Sequence, residues 1–388
     1  HPEFSRQSKS TMDSFIMGLV EVAARPGMIS FATGLPDNSL FDVDGLKHAV
    51  DKVLDCDGGC TLQYDSPTGF VPLREWIADR CRTVFGFETK ASNVIMTNGS
   101  QECFDQLGRL FLNPGDPMVV ENPGYLGALQ SFSSYAPEFI PVDVAPGGVD
   151  LGQLEDALSR DPKLFYSIPN HQNPSGNSYS DATRRAVASM IRDSGCLMIE
   201  DDAYGELGFN GRVGPAMKSM SPDDIVLTGS FSKIISPGMR VGWMVVPDWM
   251  VPMASKSVEA ASLQSGTFSQ RVVHRYLLDN NYDAYLVTLR KAYEEKKRFF
   301  LGVMEEMLPD TVTWNDPDGG MFVWLKAPEG YDSMRIFQGC LDNGLVVMPG
   351  GPFHMRGGGN AIRLNFATPT REQIVTGMGI LADVCRRI

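Results

Sequence analysis

The chain has 388 residues, 43% hydrophobic and 21% charged, which excludes wholesale disorder and suggests two to three domains or one large α/β unit with a smaller one. Its 34 basic and 47 acidic residues give a formal charge of −13, which argues against a nucleic-acid backbone or an anionic membrane as partner. No run of about 18 uncharged apolar residues predicts a transmembrane helix, and the opening His1-Pro2-Glu3-Phe4 lacks an apolar signal core.

In chain order, the first 40 residues carry the turn Gly34-Leu35-Pro36-Asp37 and no strong long helix, so they read as an arm that packs against something else. Helical stretches are predicted around 70–85, 101–112, 180–194 and 281–307. Between them fall short apolar runs expected to be strands, at 94–97, 118–121, 164–168, 197–200, 225–228 and 241–246. The helix near 180 has the clearest ends, with Ser180 as cap and Gly195 as stop. This alternation predicts a mostly parallel sheet covered on both faces. Beyond about residue 275 the pattern changes to long helices plus strand-like runs at 321–325 and 361–366, which reads as a smaller α+β domain. Gly357-Gly358-Gly359 reads as a surface loop. The seven cysteines, at 56, 60, 81, 103, 196, 340 and 385, form no CxxC pair and fit scattered thiols in a reducing cytoplasm.

Four segments directly after predicted strands carry chemistry, and ligands of open α/β sheets bind at strand ends. Thr97-Asn98-Gly99-Ser100-Gln101 suits an anion at a helix start, or a plain helix cap. The stretch from Pro169 through His171 and Asn173 to Gly176 suits a turn. Glu200-Asp201-Asp202-Ala203-Tyr204 could ligate Mg²⁺, end a strand in solvent, or place a buried carboxylate opposite a ring nitrogen. Gly229 to Gly242 holds Ser230, Ser232, Lys233 and Arg240 among apolar residues, which suits a phosphate beside a lysine capable of imine chemistry.

Taken together and in this order, these segments resemble the class I/II pyridoxal-phosphate aminotransferases of fold type I. The resemblance runs from Gly34 to Arg363. It is carried by Gln63-Tyr64, Asn98 to Gln101, Asn122-Pro123-Gly124-Tyr125, Asn173-Pro174-Ser175-Gly176, Asp201 to Tyr204, Ser230-Phe231-Ser232-Lys233 with Arg240, and Arg363. Tyr64 to Gly69 and Gly319 to Trp324 look most like the 2-aminoadipate and kynurenine aminotransferase branch.

The resemblance implies a large three-layer α/β/α domain around a mostly parallel sheet (43–275), a smaller α+β domain (276–388) and an N-terminal arm (1–42) packing with the small domain and active site. It implies pyridoxal 5′-phosphate as cofactor, with Lys233 holding it as an aldimine and moving the proton, and Asp201 pairing with the pyridine nitrogen. Tyr204 and Asn173 would donate to its phenolic oxygen, and Tyr125 would stack on the ring. Ser100, Gln101, Ser230, Ser232 and Arg240 would hold the phosphate, joined by Tyr64 from the neighbouring subunit of a homodimer with shared sites. Arg363, aided by Asn173, would bind the substrate carboxylate, with Gly34 nearby. The implied reaction is ping-pong transamination between an L-amino acid and a 2-oxo acid in the cytoplasm. β-Lyase, decarboxylase or oxidase chemistry on the same scaffold is the alternative. The pattern begins by Gly34, leaving no room for a DNA-binding helix-turn-helix, and no metal is expected. Two positions depart from the family's common pattern. Thr33 precedes Gly34, and His171 reads as an exposed turn residue.

Overall fold

An eight-stranded sheet forms the frame in the computed structural model, which describes residues 2–211 and 213–387. Its order is Val94–Thr97, Gly242–Val245, Ile225–Ser230, Leu197–Asp201, Leu164–Ser167, Pro117–Asn122, Glu138–Ala145 and the short Gly148–Val149. The five strands from Ile225–Ser230 to Glu138–Ala145 are mutually parallel. Their central members are buried along nearly their whole length, as strands covered on both faces must be. Alternation sends Met118, Val120, Tyr166 and Ile199 into one hydrophobic cluster, and Val119, Phe165 and Met198 into another.

Two strands run the other way, the short Gly148–Val149 at one edge and Gly242–Val245 inside the sheet. Gly242–Val245 is antiparallel to both neighbours. The start of that strand therefore lies at the same edge as the carboxyl ends of the others. This reversal brings Arg240, which precedes a strand, to the edge where Asn98–Ser100, Tyr125, Asp201 and Ser230 follow theirs.

The predicted elements appear within one to two residues at most ends: helices Val71–Thr83, Ser100–Phe111, Asp181–Ser194 and Tyr282–Met307. Ser180 accepts from the Thr183 amide and Gly195 closes the helix at φ 73°, the left-handed conformation that glycine tolerates best. Helices Val43–Asp57, Val251–Ser262 and Thr267–Asp279 are not among the predicted ones, the first despite an Asp42 cap and a Gly58 stop.

Toward the C-terminus, strands Thr313–Trp314, Phe322–Lys326, Ala361–Asn365 and Met348–Pro349 form an antiparallel sheet, packed with helices Tyr282–Met307, Ser333–Asp342 and Arg371–Arg387. The N-terminal stretch holds two short helices, Arg6–Ser10 and Phe15–Ala23. A two-residue strand, Ile29–Ser30, then pairs in parallel with Leu345–Val346. Past it, Asp37 is buried, and its carboxylate meets the Lys296 amine at 2.5 Å. No described helix is long and apolar enough to cross a membrane.

Candidate active site

A cavity of about 300 Å³ opens at the carboxyl edge of the large sheet. Its wall includes Ser100, Gln101, Tyr125, Asn173, Asp201, Tyr204, Ser230, Ser232, Lys233 and Arg240. Ten of the thirteen residues the family resemblance implied for cofactor and substrate thus meet in one space, although they span 140 positions of chain from Ser100 to Arg240.

One end of the cavity is built for an anion. Helix Ser100–Phe111 starts after Gly99, which has no side chain to cap it, so its first amides stay available. The Gln101 side chain is committed to the Gly127 carbonyl at 2.7 Å, so this residue offers its backbone. Ser230 and Ser232 hydroxyls lie 2.8 Å apart. Arg240 donates to the carbonyl of Asn98 at 2.7 Å and pairs with no carboxylate among the described residues. Its backbone sits at φ 54°, a left-handed conformation that is uncommon for a non-glycine residue and is often found at functional positions. Glycines make the cradle: a Cβ on Gly242 would sit 2.6 Å from the Gly99 Cα, and one on Gly99 would strike the Arg240 guanidinium.

Asp201 forms the floor, 2% exposed. Tyr166 donates to one carboxylate oxygen at 2.7 Å and Thr228 to the other at 3.1 Å. Burial dominates and pushes the carboxyl up to about 7, while these donors pull the other way. The three acids of this strand end diverge. Glu200 accepts the Met217 and Lys218 amides at 2.8 and 2.9 Å, and Asp202 accepts from Asn170 at 2.8 Å. Neither a shared cation site nor a solvated strand end describes them.

Lys233 projects from the turn after Ile225–Ser230, and its amine donates to the Gly34 carbonyl at 2.9 Å. Burial lowers its pKa to about 8, helped by the positive charges of Arg363 and Arg240. Tyr204 is buried, packs edge-on to Phe322 and hydrogen-bonds Asn173.

Arg363 lies just behind this wall, 2% exposed in the middle of the Ala361–Asn365 strand. It donates to the Asn173 side chain at 2.8 Å and to the Ala32 carbonyl, and its guanidinium lies over Phe322 and Phe353. Its Nε has no partner, and no carboxylate pairs with it among the described residues. Burial alone brings its pKa down to about 10. A buried, unpaired guanidinium is expensive unless an anion completes it.

One expectation turns out differently. His171 is buried, not exposed: its ring packs against Gly319 and Gly320, and Nδ1 lies 3.2 Å from Asp318. The turn folds under the small sheet, which a local reading cannot foresee. Tyr64, expected at the phosphate of a neighbouring subunit, is not in this chain's own cavity wall and is 76% exposed in the single chain. Sequence reasoning also missed Tyr166 and Thr228. Thr228 is the direct cross-strand partner of Asp201, a signal that exists only once register is known.

The donor set fits pyridoxal 5′-phosphate: an anion cradle, a buried carboxylate, an amine and an aromatic wall share a space of suitable size. The family model for class I and II aminotransferases matches residues 26–380. The 2-aminoadipate transaminase of Thermus thermophilus is 34% identical over 97% of this chain and 94% of its own. An aromatic-amino-acid aminotransferase of Thermococcus litoralis is 32% identical over 99% and 94%. Among solved structures, the kynurenine aminotransferase of Pyrococcus horikoshii superposes with TM-score 0.94 at 30% identity, covering 99% of this chain and 97% of that one. The chain therefore belongs to the class I and II aminotransferases, has the fold type I architecture, and carries out pyridoxal-phosphate-dependent transamination.

Proposed function

We propose that this chain transfers the amino group of an L-amino acid with a long or aromatic side chain to a 2-oxo acid, with the residue roles that follow. The relatives named for 2-aminoadipate, aromatic amino acids and kynurenine support that donor class. One observation carries the reading: a fully buried arginine without a carboxylate partner stands beside a lysine amine of lowered pKa. That pair suits a substrate bearing both a carboxylate and an amine.

When bound, the cofactor supplies a carbonyl that exchanges amines and a ring that accepts electron density from the substrate Cα. Lys233 holds it by its amine. Asp201 faces the ring nitrogen and favours its protonated form, with Tyr166 and Thr228 holding the carboxylate in place. Ser100, the Gln101 amide, Ser230, Ser232 and Arg240 bind the phosphate. Tyr125 covers one ring face and excludes water from it. Tyr204 and Asn173 donate to the phenolic oxygen.

Arg363 fixes the α-carboxylate by charge-assisted hydrogen bonds, with Asn173 as second donor. That orientation would bring the Cα proton toward the Lys233 amine, which is placed to take it up, hold it and give it back. An amine titrating near 8 serves both directions at neutral pH, because both protonation states are populated. Gly34, whose carbonyl accepts from that amine, closes the arm over the site.

We read the chain as an arm (1–42), a cofactor domain (43–275) and a small domain (276–388). The pairing of Ile29–Ser30 with Leu345–Val346 supports an arm that travels with the small domain. Tyr64 reaches the phosphate of a second copy. Its exposure beside exposed Leu62 and Leu263 supports a homodimer with shared sites. Seven free cysteines support a cytoplasmic location.

The test is a panel of L-amino donors with 2-oxoglutarate and pyruvate, following cofactor absorbance and product. Wild-type protein converts donors only in the presence of an acceptor, and Lys233→Ala loses both turnover and the bound-cofactor band. Turnover by Lys233→Ala would show that another lysine holds the cofactor.

A further inference from the structure

Glu121 is a buried carboxylate that the chemistry above does not use. It is the penultimate residue of the Pro117–Asn122 strand, is 0% exposed and is absent from the cavity wall. Four donors saturate it. Ser167 Oγ and Tyr179 OH reach Oε1 at 2.8 and 2.7 Å, while Gln172 Nε2 and the Ile168 amide reach Oε2 at 2.7 and 3.2 Å. All four come from one stretch, 167–179. That stretch contains Asn173, which meets Arg363.

Gln172 is the bridge. Its Nε2 donates both to Glu121 and to the Pro123 carbonyl, at 2.7 and 2.8 Å. Its Oε1 accepts the Ser175 amide at 3.2 Å and the Ser175 hydroxyl at 2.5 Å. Two acceptors on one side and two donors on the other leave the amide a single orientation. Pro123 precedes Tyr125 by two residues, so one buried pair ties together the loop that carries the aromatic wall and the loop that carries Asn173. The far side of the second loop is tied too. Asn315 donates to the Ser175 carbonyl at 2.8 Å and accepts the amide of Trp324, the register partner of Arg363, at 2.7 Å.

We propose that Glu121 is a positioning residue for substrate-carboxylate recognition: acting through Gln172, it sets the place of Asn173 against Arg363. The inference rests on the assignment of Arg363 to the α-carboxylate. Ionised carboxylates are rarely buried where packing alone would suffice, because desolvation must be offset by good partners. Here the partners are complete and converge on one loop. Glu121→Gln can face its NH₂ only toward the Ser167 and Tyr179 hydroxyls, which must turn to accept, so the charge-assisted bonds to all four donors are lost and the 167–179 stretch shifts.

The experiment uses folded, cofactor-loaded protein and compares amino acids with the amines that lack their α-carboxylate: L-phenylalanine with 2-phenylethylamine, and L-leucine with 3-methylbutylamine. Half-reactions are followed by cofactor absorbance. 3-Phenylpropionate serves as a non-reacting carboxylate whose dissociation constant is measured directly.

In Glu121→Gln, kcat/KM for the amino acids falls about tenfold, mainly through KM, while kcat/KM for the amines stays within about twofold. The dissociation constant of 3-phenylpropionate rises in parallel. Gln172→Leu, which keeps the buried carboxylate and cuts only the bridge, moves the same ratio in the same direction. Tyr179→Phe removes a donor from Glu121 without cutting the bridge and leaves the ratio unchanged. A general packing defect would lower both substrate classes and the cofactor affinity together. An amino acid to amine ratio that stays at the wild-type value in Glu121→Gln and Gln172→Leu overturns the proposal. If the wild-type protein itself fails to prefer amino acids over amines, the Arg363 assignment is wrong and the proposal falls with it.

Discussion

The two ends of the site are built differently. The cofactor end is built at one edge of one sheet, from segments at or just after strand ends, Asn98–Ser100, Tyr125, Asp201–Tyr204 and Ser230–Lys233, with Arg240 just before the reversed strand. The substrate end is assembled from distant pieces: Ala32 and Gly34 from the N-terminal stretch, Asn173 from the loop after the Leu164–Ser167 strand, Arg363 from the small sheet. The cofactor end carries its own scaffold. The substrate end exists only when three parts of the chain dock, so its geometry can shift with their docking while the cofactor remains bound.

Several substitutions would break that contrast or sharpen it. The largest effect is expected from Arg363→Leu. Losing the buried charged partner lowers kcat/KM for amino acids by roughly a hundred- to a thousandfold. Cofactor affinity is preserved, and the thermal midpoint of the apoprotein holds or rises, because an unpaired buried charge gives way to an apolar side chain. A fall in cofactor affinity as large as the fall in kcat/KM would show that the two ends are not separable.

Arg240→Gln probes the opposite end. Pyridoxal-phosphate affinity, measured by absorbance titration, falls about tenfold to a hundredfold, while KM for the amino acid at saturating cofactor changes little. An unchanged affinity would remove Arg240 from the phosphate site.

Tyr166→Phe tests the floor. Losing this donor raises the Asp201 carboxyl further above its burial-shifted value of about 7. The carboxylate form then appears at higher pH, so the acid limb of the kcat profile moves up and the rate at pH 7 falls roughly three- to tenfold. An acid limb that stays in place would assign it to another group.

The smallest effect concerns Lys233. Attachment of cofactor to the apoprotein needs the neutral amine, so its rate rises with pH and levels off above about 8. In Arg363→Leu the levelling point moves to higher pH, because one of the two cations that lower the amine's pKa is gone. No movement would show that Arg363 does not help to lower the amine's pKa.

The contrast also explains what a reader of the sequence could see. The strands at 94–97, 164–168 and 197–200 are legible because parallel strands buried on both faces are short apolar runs between turn signals. The residues at their ends belong to compact local patterns, and those patterns lie in the cavity wall. His171 was misread because the small sheet that buries it lies about 150 positions downstream, and nothing in the local turn marks that contact. Helix Val43–Asp57 escaped notice because its buried face is narrow, with Ala49 and Val53 as its buried residues.

By itself, then, the sequence determined the family, the cofactor class, the alternating architecture and the identities of the chemical groups, because each of these is written in residues close together along the chain. Tertiary structure decided which groups meet. It brought Arg240 to the working edge by reversing one strand, placed Thr228 opposite Asp201 by register, left Arg363 buried without a counter-charge among the described residues, and joined Glu121 to the Asn173 loop through Gln172. Those relations depend on contacts across many tens to hundreds of residues, and a side chain's pKa and partners follow from such contacts rather than from its neighbours in sequence.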